Sequence, residues 1–120
     1  MARILFVDDD FFTLETYEKI LSLFGHQAIL ADSSAQALEL AIEQLPDLII
    51  LDMRLPDMDG FELLRALRSN PATAKIPAAM VSASPDVYAL HAKAAGAQYY
   101  LSKPIRTEEL LEIIEQNTSE

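Results

Sequence analysis

The sequence contains no cysteine and few basic residues: 9 lysines and arginines stand against 19 aspartates and glutamates, a formal net charge of −10. Without cysteine, the chain can form no disulfide scaffold, no thiolate metal site and no cysteine nucleophile. The excess of negative charge argues against binding to nucleic acids or anionic membranes, because both interactions need surface cations. We therefore expect neither a nucleic acid nor a membrane as a partner.

Long hydrophobic runs are also missing. The longest apolar stretches, such as Ile4 to Val7, have about four or five residues, whereas a membrane-spanning helix needs about 18. Asp8 interrupts the first run before the apolar core of a signal peptide could form. Hydrophobic residues nevertheless make up 51% of the 120 residues, which is enough to build a core. These features predict a cytoplasmic protein with a single domain over residues 1–120 and no output domain in the chain.

Five short apolar runs alternate with longer segments of helical period. The runs begin at Ile4, Ala28, Leu48, Ala78 and Tyr99. The first four are apolar at every position, which is typical of strands buried on both faces of a parallel sheet. The alternation predicts an α/β fold, a doubly wound five-stranded parallel sheet between two helix layers. We expect the flavodoxin-like (βα)5 arrangement with strand order 2-1-3-4-5.

The helices are predicted from apolar stripes and from residues that favour helix ends. Ser33 and Gln36 form a capping-box pattern at the start of the second helix, and Ser84 followed by proline favours the start of the fourth. The stripe of the first helix consists of Leu14, Tyr17, Leu21 and Phe24. The face predicted to be buried in the second helix consists of Ala35, Leu38, Ala41, Ile42 and Leu45.

Polar residues that can carry chemistry follow the apolar runs. They are Asp8, Asp9 and Asp10 after the first run, Asp52 after the third, Ser82 after the fourth and Lys103 after the fifth. The predicted strand order brings these strand ends together in one crevice. Carboxylates at such short distances repel one another, and a cation that prefers oxygen ligands, such as Mg²⁺, relieves the repulsion. The pattern predicts a phosphoryl-transfer centre with an aspartate nucleophile, a charge-neutralising metal and lysine, and a hydrogen-bonding serine.

Four segments at the predicted strand ends form a specific set when taken together and in order. They are Val7-Asp8-Asp9, Leu51-Asp52-Met53-Arg54-Leu55-Pro56-Asp57-Met58-Asp59-Gly60, Val81-Ser82-Ala83 and Lys103-Pro104. With them, the chain resembles the receiver domain of two-component response regulators, in its stand-alone, chemotaxis-regulator-like form. The resemblance extends from Arg3 to Asn117.

The resemblance implies that Asp52 is phosphorylated, by transfer from a phosphohistidine on a sensor histidine kinase or a histidine phosphotransfer protein. It implies that Mg²⁺, or Mn²⁺ in its place, binds to Asp9, Asp52 and the backbone carbonyl of Arg54, with Asp8 acting through water. Contacts to the phosphoryl oxygens are implied for Ser82 and Lys103. Such a domain assists only its own phosphorylation and dephosphorylation, so we expect a signalling domain rather than an enzyme.

Further residues are implied to aim, tune or transmit the signal. The peptide bond before Pro104 is cis in the family, and Tyr100 matches its aromatic switch position. Arg54 and Ser84 lie two residues after a site residue, where the family tunes the lifetime of the phosphoryl group. An unknown target protein is expected on the face formed by the fourth helix, fifth strand and fifth helix. Candidate residues for that face are Val87, Tyr88, His91, Lys93, Tyr100, Ile105 and Arg106.

Simpler interpretations remain open for some acidic residues. Asp10 is readily explained as the cap of the first helix, and Asp57 and Asp59 as loop residues, with Asp59 a candidate cap of the third helix. A calcium-binding loop is rejected, because Leu55 stands where the loop pattern requires an oxygen ligand.

Two other functions compete with phosphoacceptor signalling. A phosphatase of the haloacid dehalogenase type needs the pattern D-x-D-x-[TV] after the first strand, but Asp10 is followed by Phe11 and Phe12. A receiver-like interaction module that takes no phosphoryl group would have the same fold. Against it, every matching position carries the residue type that the chemistry needs.

Overall fold

A computed structural model describes residues 2–83 and 91–118 of the chain. Five strands form one parallel sheet in the order β2-β1-β3-β4-β5, so the predicted strand order is confirmed. The strands are β1 (Arg3–Val7), β2 (Gln27–Ala31), β3 (Leu48–Asp52), β4 (Ala78–Ser82) and β5 (Tyr99–Ser102). Each predicted apolar run lies within one of them.

Helices connect the strands and cover both faces of the sheet. They are α1 (Phe11–Leu23), α2 (Ser34–Gln44), α3 (Gly60–Ser69), the helical residues 91–95, which we name α4, and α5 (Thr107–Thr118). The predicted helix start at Ser84 lies outside the described residues. Among the helices that the structure describes, none combines the length and the apolar character needed to cross a bilayer.

Short polar side chains cap three of the helices. Asp10, Ser33 and Asp59 each accept a hydrogen bond from a backbone N–H two or three residues further along the chain, at the start of α1, α2 and α3. The simple interpretations of Asp10 and Asp59 as caps are thereby confirmed. The capping box of α2 is shifted, because the Gln36 side chain accepts from the N–H of Asp32 at 2.9 Å, one residue before the usual position.

The side chains of β1 explain why the strands are apolar at every position. Ile4 and Phe6 point into the hydrophobic cluster that also contains buried residues of α1 and α5. Leu5 and Val7 point into the opposite cluster, which contains buried residues of α2, α3 and α4. Because successive side chains of a strand face opposite sides, a sheet covered on both faces needs an apolar residue at each position.

Two details of the predicted helix faces are wrong. Phe24 is 53% exposed, because α1 ends at Leu23 and Phe24 already lies in the turn. In α2, Ala35 is exposed and Ile42 and Leu45 are 40% and 52% exposed. The buried residues of that helix are Ser34, Ala37 and Ala41. Both sets fit a helical spacing, so the periodicity of the sequence alone could not choose between them.

Candidate functional site

The predicted acidic residues converge at the carboxyl ends of β1 and β3. The two strands are neighbours, with Val7 beside Leu51. Asp8, directly after β1, and Asp52, the last residue of β3, therefore lie side by side. One carboxylate oxygen from each of Asp8, Asp9 and Asp52 lies within 4.8 Å of the other two. The side chains of Asp8 and Asp52 are 6% and 11% exposed, whereas Asp9 is exposed. Such a group of oxygen atoms could hold a divalent cation of the Mg²⁺ type.

Lys103, which follows β5, brings its ammonium group into this cluster. Its Nζ atom lies 2.8 Å from Asp52 Oδ2 and 3.2 Å from Asp8 Oδ2. Burial disfavours the charged form of Lys103, but the hydrogen bond to Asp52 and the charges of Asp52 and Asp8 outweigh burial and raise its pKa. Lys103 is therefore a protonated partner for two of the three carboxylates. The peptide bond between Lys103 and Pro104 is cis, as expected.

The carboxyl group of Asp8 is the most strongly buried of the three. Burial raises its pKa, and the nearby charge of Asp52 raises it further. The N–H of Asp10, 2.9 Å from Asp8 Oδ1, and the ammonium group of Lys103 act in the opposite direction but do not cancel the rise. Asp8 is therefore harder to ionise than an exposed aspartate, and a bound cation would favour its charged form.

Ser82 lies at the end of β4, between the strands that carry Asp52 and Lys103. It is 4% exposed and pairs with Ser102 in the parallel register of β4 and β5. Its backbone carbonyl accepts the N–H of Lys103 at 3.0 Å. The structure thus brings Asp52, Ser82 and Lys103 to the ends of three adjacent strands.

The loop between β3 and α3, residues 53–59, folds back beside Asp52. The N–H of Arg54 donates to Asp52 Oδ1 at 3.2 Å, and Arg54 forms an antiparallel bridge with Asp59. The N–H of Gly60 donates to the carbonyl of Met53 at 2.7 Å. A Cβ atom on Gly60 would lie 2.6 Å from the backbone oxygen of Asp52, so this close approach requires glycine.

Tyr100 connects β5 to the residue beside Asp52. Its side chain is partly buried, and its hydroxyl group donates to the sulfur of Met53 at 3.9 Å. Ser84, and Val87 and Tyr88 of the predicted partner face, lie outside the described residues.

Comparison with known proteins adds to this geometry. The model of the response regulator receiver domain family matches residues 4–115 of the chain. The chain belongs to the response regulator receiver family. Receiver domains are signalling modules, which agrees with the class of function expected from the acidic site.

The curated relatives include proteins of about the same length as this chain and proteins of about twice its length. The protein PilH of Pseudomonas aeruginosa is 33% identical over 115 residues, a region that covers 95% of each chain. The response regulator MprA of Mycobacterium leprae is 40% identical over 111 residues, which cover 91% of this chain but 47% of MprA. The chain thus spans about the full length of one curated relative and less than half of another.

Solved receiver structures have the same fold. The chemotaxis response regulator CheY4 of Vibrio cholerae superposes with a TM-score of 0.89 at 31% identity, over 98% of this chain and 99% of CheY4. The receiver domain of the sensor histidine kinase PA1611 of Pseudomonas aeruginosa has a TM-score of 0.88 at 28% identity, over 97% and 96% of the two chains. The PA1611 structure has a magnesium ion coordinated in its active site cleft.

Sequence reasoning missed three features near this receiver site. It assigned no role to Gly60, although an Asp-Gly pair before a helix is a turn signal. It interpreted Asp57 as an ordinary loop residue, whereas both of its carboxylate oxygens accept hydrogen bonds from α2. It used Phe11 and Phe12 only to reject a phosphatase and did not predict that they are 64% and 77% exposed at the start of α1. Their position outside the apolar stripe of α1 was the available signal.

Proposed function

We propose that this receiver domain accepts a phosphoryl group on Asp52 from a phosphohistidine of a sensor histidine kinase or a histidine phosphotransfer protein. The observation that carries the proposal is the contact of 2.8 Å between Lys103 Nζ and Asp52 Oδ2, within a group of three carboxylates. The Asp52 carboxylate lies beside the Lys103 ammonium group and beside two further carboxylates that could hold a cation. Transfer of a negatively charged phosphoryl group needs positive charges close to the acceptor. Membership of the receiver family supports the same assignment.

The reaction moves a phosphoryl group from nitrogen to oxygen. A carboxylate oxygen of Asp52 attacks the phosphorus atom and the bond from phosphorus to the imidazole nitrogen breaks. The electron pair of that bond stays on the imidazole, which takes up a proton from water and leaves as a neutral histidine side chain. Lys103 would neutralise negative charge on the transferred oxygens, and Ser82 would donate a hydrogen bond to one of them. The location of Asp52, Ser82 and Lys103 at or directly after the ends of β3, β4 and β5 supports these roles.

Asp9, Asp52 and the backbone carbonyl of Arg54 would hold Mg²⁺ directly, with Asp8 acting through water, and Mn²⁺ could replace it. The bound cation supplies charge neutralisation for the phosphoryl oxygens. The residues fit such an ion, because three carboxylate oxygens lie within 4.8 Å of one another and burial raises the pKa of Asp8. The magnesium ion in the cleft of the PA1611 receiver supports the same site in this chain.

Phosphorylation would be transmitted through Tyr100 to a target protein on the face formed by α4, β5 and α5. The hydrogen bond from Tyr100 to Met53 links that face to the residue next to Asp52. A target that prefers one state shifts the equilibrium by its differential affinity, typically about 1–3 kcal/mol. Ile105 is 8% exposed, so it is too deeply buried to be a main contact. The exposed candidates among the described residues are His91, Lys93 and Arg106.

The test is phosphorylation by acetyl phosphate in the presence of Mg²⁺, followed by mass spectrometry of the intact protein. The wild-type protein should gain one phosphoryl group, and Asp52→Asn should gain none while remaining folded. Asp47→Asn is the matched control, because it makes the same substitution at the opposite edge of the sheet, and it should label like the wild type. Labelling of Asp52→Asn at the wild-type rate would identify another acceptor.

The same experiment, repeated with a phosphate monoester such as p-nitrophenyl phosphate, separates the competing functions. Many turnovers of the monoester per protein molecule would indicate a phosphatase, because a receiver hydrolyses only the phosphoryl group that it has accepted. Neither incorporation nor turnover would leave a receiver-like interaction module.

A further inference from the structure

The carboxylate of Asp57 lies in the loop between β3 and α3 and contacts a different helix. Its Oδ1 atom accepts the N–H of Ser34 and its Oδ2 atom accepts the N–H of Ala35, both at 2.9 Å. These are the first two N–H groups of α2, and such groups have no acceptor within their own helix. The next one, of Gln36, is bonded to the hydroxyl group of Ser33 at 3.2 Å. Asp57 of the loop therefore accepts the two N–H groups at the start of α2 that have no acceptor within the helix.

The same loop is tied at its base to the acidic site. The N–H of Gly60 donates a hydrogen bond to the carbonyl of Met53, and an antiparallel bridge joins Arg54 to Asp59. Arg54 in turn donates its N–H to Asp52. A loop held at its base and through Asp57 has little freedom to move, so the contacts of Asp57 bear on the position of Arg54, three residues earlier.

We propose that Asp57 is a positioning residue for the cation site: by bonding to α2 it holds the loop so that the backbone carbonyl of Arg54 is available to the cation. This inference rests on the proposed function, in which that carbonyl is a ligand. Asp57 is not itself a ligand, because both of its oxygens are engaged by Ser34 and Ala35. The described carboxylates that come together are those of Asp8, Asp9 and Asp52.

The ionisation state of Asp57 agrees with this role. The hydrogen bonds from the N–H groups of Ser34 and Ala35 lower the pKa of its carboxyl group. The carboxylate is therefore charged at neutral pH, and it lies at the positive end of the α2 dipole. The cap is present under the conditions in which a receiver would bind Mg²⁺.

The experiment measures the affinity for Mg²⁺ by isothermal titration calorimetry in wild type, Asp57→Asn and Asp57→Ala. Both variants remove the same charge, but asparagine keeps one acceptor oxygen and alanine keeps none. A difference between them therefore reports the hydrogen bonds and not the charge. We expect the affinity to fall from wild type to asparagine to alanine, with a loss of about tenfold for alanine, a usual cost of removing an outer partner of a metal site.

Asp47→Ala is the matched control, a carboxylate that accepts a backbone N–H without this function. Asp47 accepts the N–H of Arg3 at 2.8 Å where the strands begin, so loss of its side chain should lower stability and leave the affinity for Mg²⁺ unchanged. Equal affinities for Mg²⁺ in Asp57→Ala and Asp47→Ala, with stability lost in both, would reduce Asp57 to a structural cap and overturn the inference. If Asp57→Ala does not fold, unchanged affinity in Asp57→Asn overturns it instead.

Amide hydrogen exchange in the metal-free protein tests whether Asp57 holds the loop, independently of whether the protein binds Mg²⁺. Asp57→Ala should speed exchange at Arg54 and Gly60, and protection equal to wild type would overturn the role of Asp57 in holding the loop. A wild-type protein that binds no Mg²⁺ would contradict the metal site itself, and the present inference with it. Binding by the wild type that is unaffected by the Asp57 variants would contradict only the inference about Asp57.

Discussion

Polar side chains serve different purposes where the strands of the sheet begin and where they end. At the amino ends of the strands, which we call the amino edge, polar groups form matched pairs. Asp47 accepts the N–H of Arg3 at 2.8 Å, Gln44 accepts from the Arg3 guanidinium at 3.1 Å, and His26 Nδ1 accepts the N–H of Ala2 at 3.0 Å. Asp47 and His26 satisfy backbone N–H groups where β1 begins, and Gln44 pairs with the side chain of Arg3. These contacts are sufficient to explain why the residues are polar.

At the carboxyl edge, where the strands end, like charges are brought together. Three carboxylates lie within 4.8 Å of one another, and Lys103 contacts two of them, Asp8 and Asp52. Burial and repulsion raise the pKa of Asp8, so the arrangement is unfavourable for the isolated fold. The comparison teaches that the polar groups where the strands begin are paired within the fold, whereas Asp8, Asp9 and Asp52 carry more negative charge than Lys103 can balance. A ligand of opposite charge would balance it, as in the proposed function.

The largest expected difference between the two edges is the loss of unfolding free energy when a glycine is replaced by alanine. Gly60→Ala would place a Cβ atom 2.6 Å from the oxygen of Asp52 and 2.9 Å from Cα of Met53, and neither backbone atom can move easily. We expect a loss of about 3 kcal/mol in the free energy of unfolding, measured with urea, the upper part of the cost of overpacking. Gly25→Ala, at the turn before β2, has open space and only a φ of +80° to accommodate, so it should lose about 1 kcal/mol. Equal losses would show that the loop beside Asp52 is not tightly packed.

The second difference concerns metal binding. At a Mg²⁺ concentration 100 times the Kd, binding to the folded state should raise the free energy of unfolding by about 2.7 kcal/mol, and a chelator should reverse the gain. Asp9→Asn should abolish most of this gain, because Asp9 is an exposed member of the cluster and a proposed ligand. Asp47→Asn should keep it. A thermal melting temperature that is insensitive to millimolar Mg²⁺ in the wild type would contradict the metal site.

Lys103→Met tests whether the ammonium group substitutes for the cation. The metal-free variant should lose about 2 kcal/mol of unfolding free energy, the worth of hydrogen bonds to charged groups, because Asp8 and Asp52 are left to repel each other. Its affinity for Mg²⁺ should rise, since a competing positive charge has been removed. Arg3→Met, the matched change at the amino edge, should alter stability by no more than about 0.5 kcal/mol and leave Mg²⁺ binding unaffected. Weaker binding of Mg²⁺ in Lys103→Met would show that the lysine orders the site.

The smallest expected effect is on the pH dependence of stability. The pKa of Asp57 is lowered in the folded protein by the N–H groups of Ser34 and Ala35, so the unfolded state binds more protons in acid. The contribution of Asp57 should be complete above the ordinary aspartate pKa and be lost as the pH falls through its folded value. Urea titrations of wild type and Asp57→Asn should therefore differ near neutrality and converge in acid. A difference that grows in acid would contradict the lowered pKa.

Several parts of the fold could be predicted from local patterns. The uninterrupted apolar run from Ile4 to Val7 predicted a strand buried on both faces, and the structure has these side chains in the two clusters on opposite faces of the sheet. The alternation of strands and helices predicted a parallel sheet, and the confirmed strand order was that of the flavodoxin-like arrangement assumed for it. Because parallel strands end at one edge, the residues after them, among them Asp8, Asp52 and Lys103, could be expected to meet.

Other parts depended on contacts between distant segments. The buried face of α2 was predicted wrongly, because two overlapping stripes fit the helical period and only packing on the sheet selects Ser34, Ala37 and Ala41. Asp57 was interpreted as a loop residue, because its partner Ser34 lies 23 residues away. The need for glycine at position 60 follows from the approach of the Asp52 backbone. The Asp59-Gly60 pair indicates a turn, but it does not indicate this contact.

By itself, then, the sequence determined the kinds of element, their order and the charged groups at the strand ends, since hydrophobic period and residue chemistry are local properties. The tertiary structure alone decided which carboxylates share Lys103, which of them burial perturbs, and that Asp57 joins the loop beside Asp52 to α2. The distances between these side chains and their burial depend on contacts between segments that are far apart in the sequence. The propensity of a single segment carries no information about such contacts.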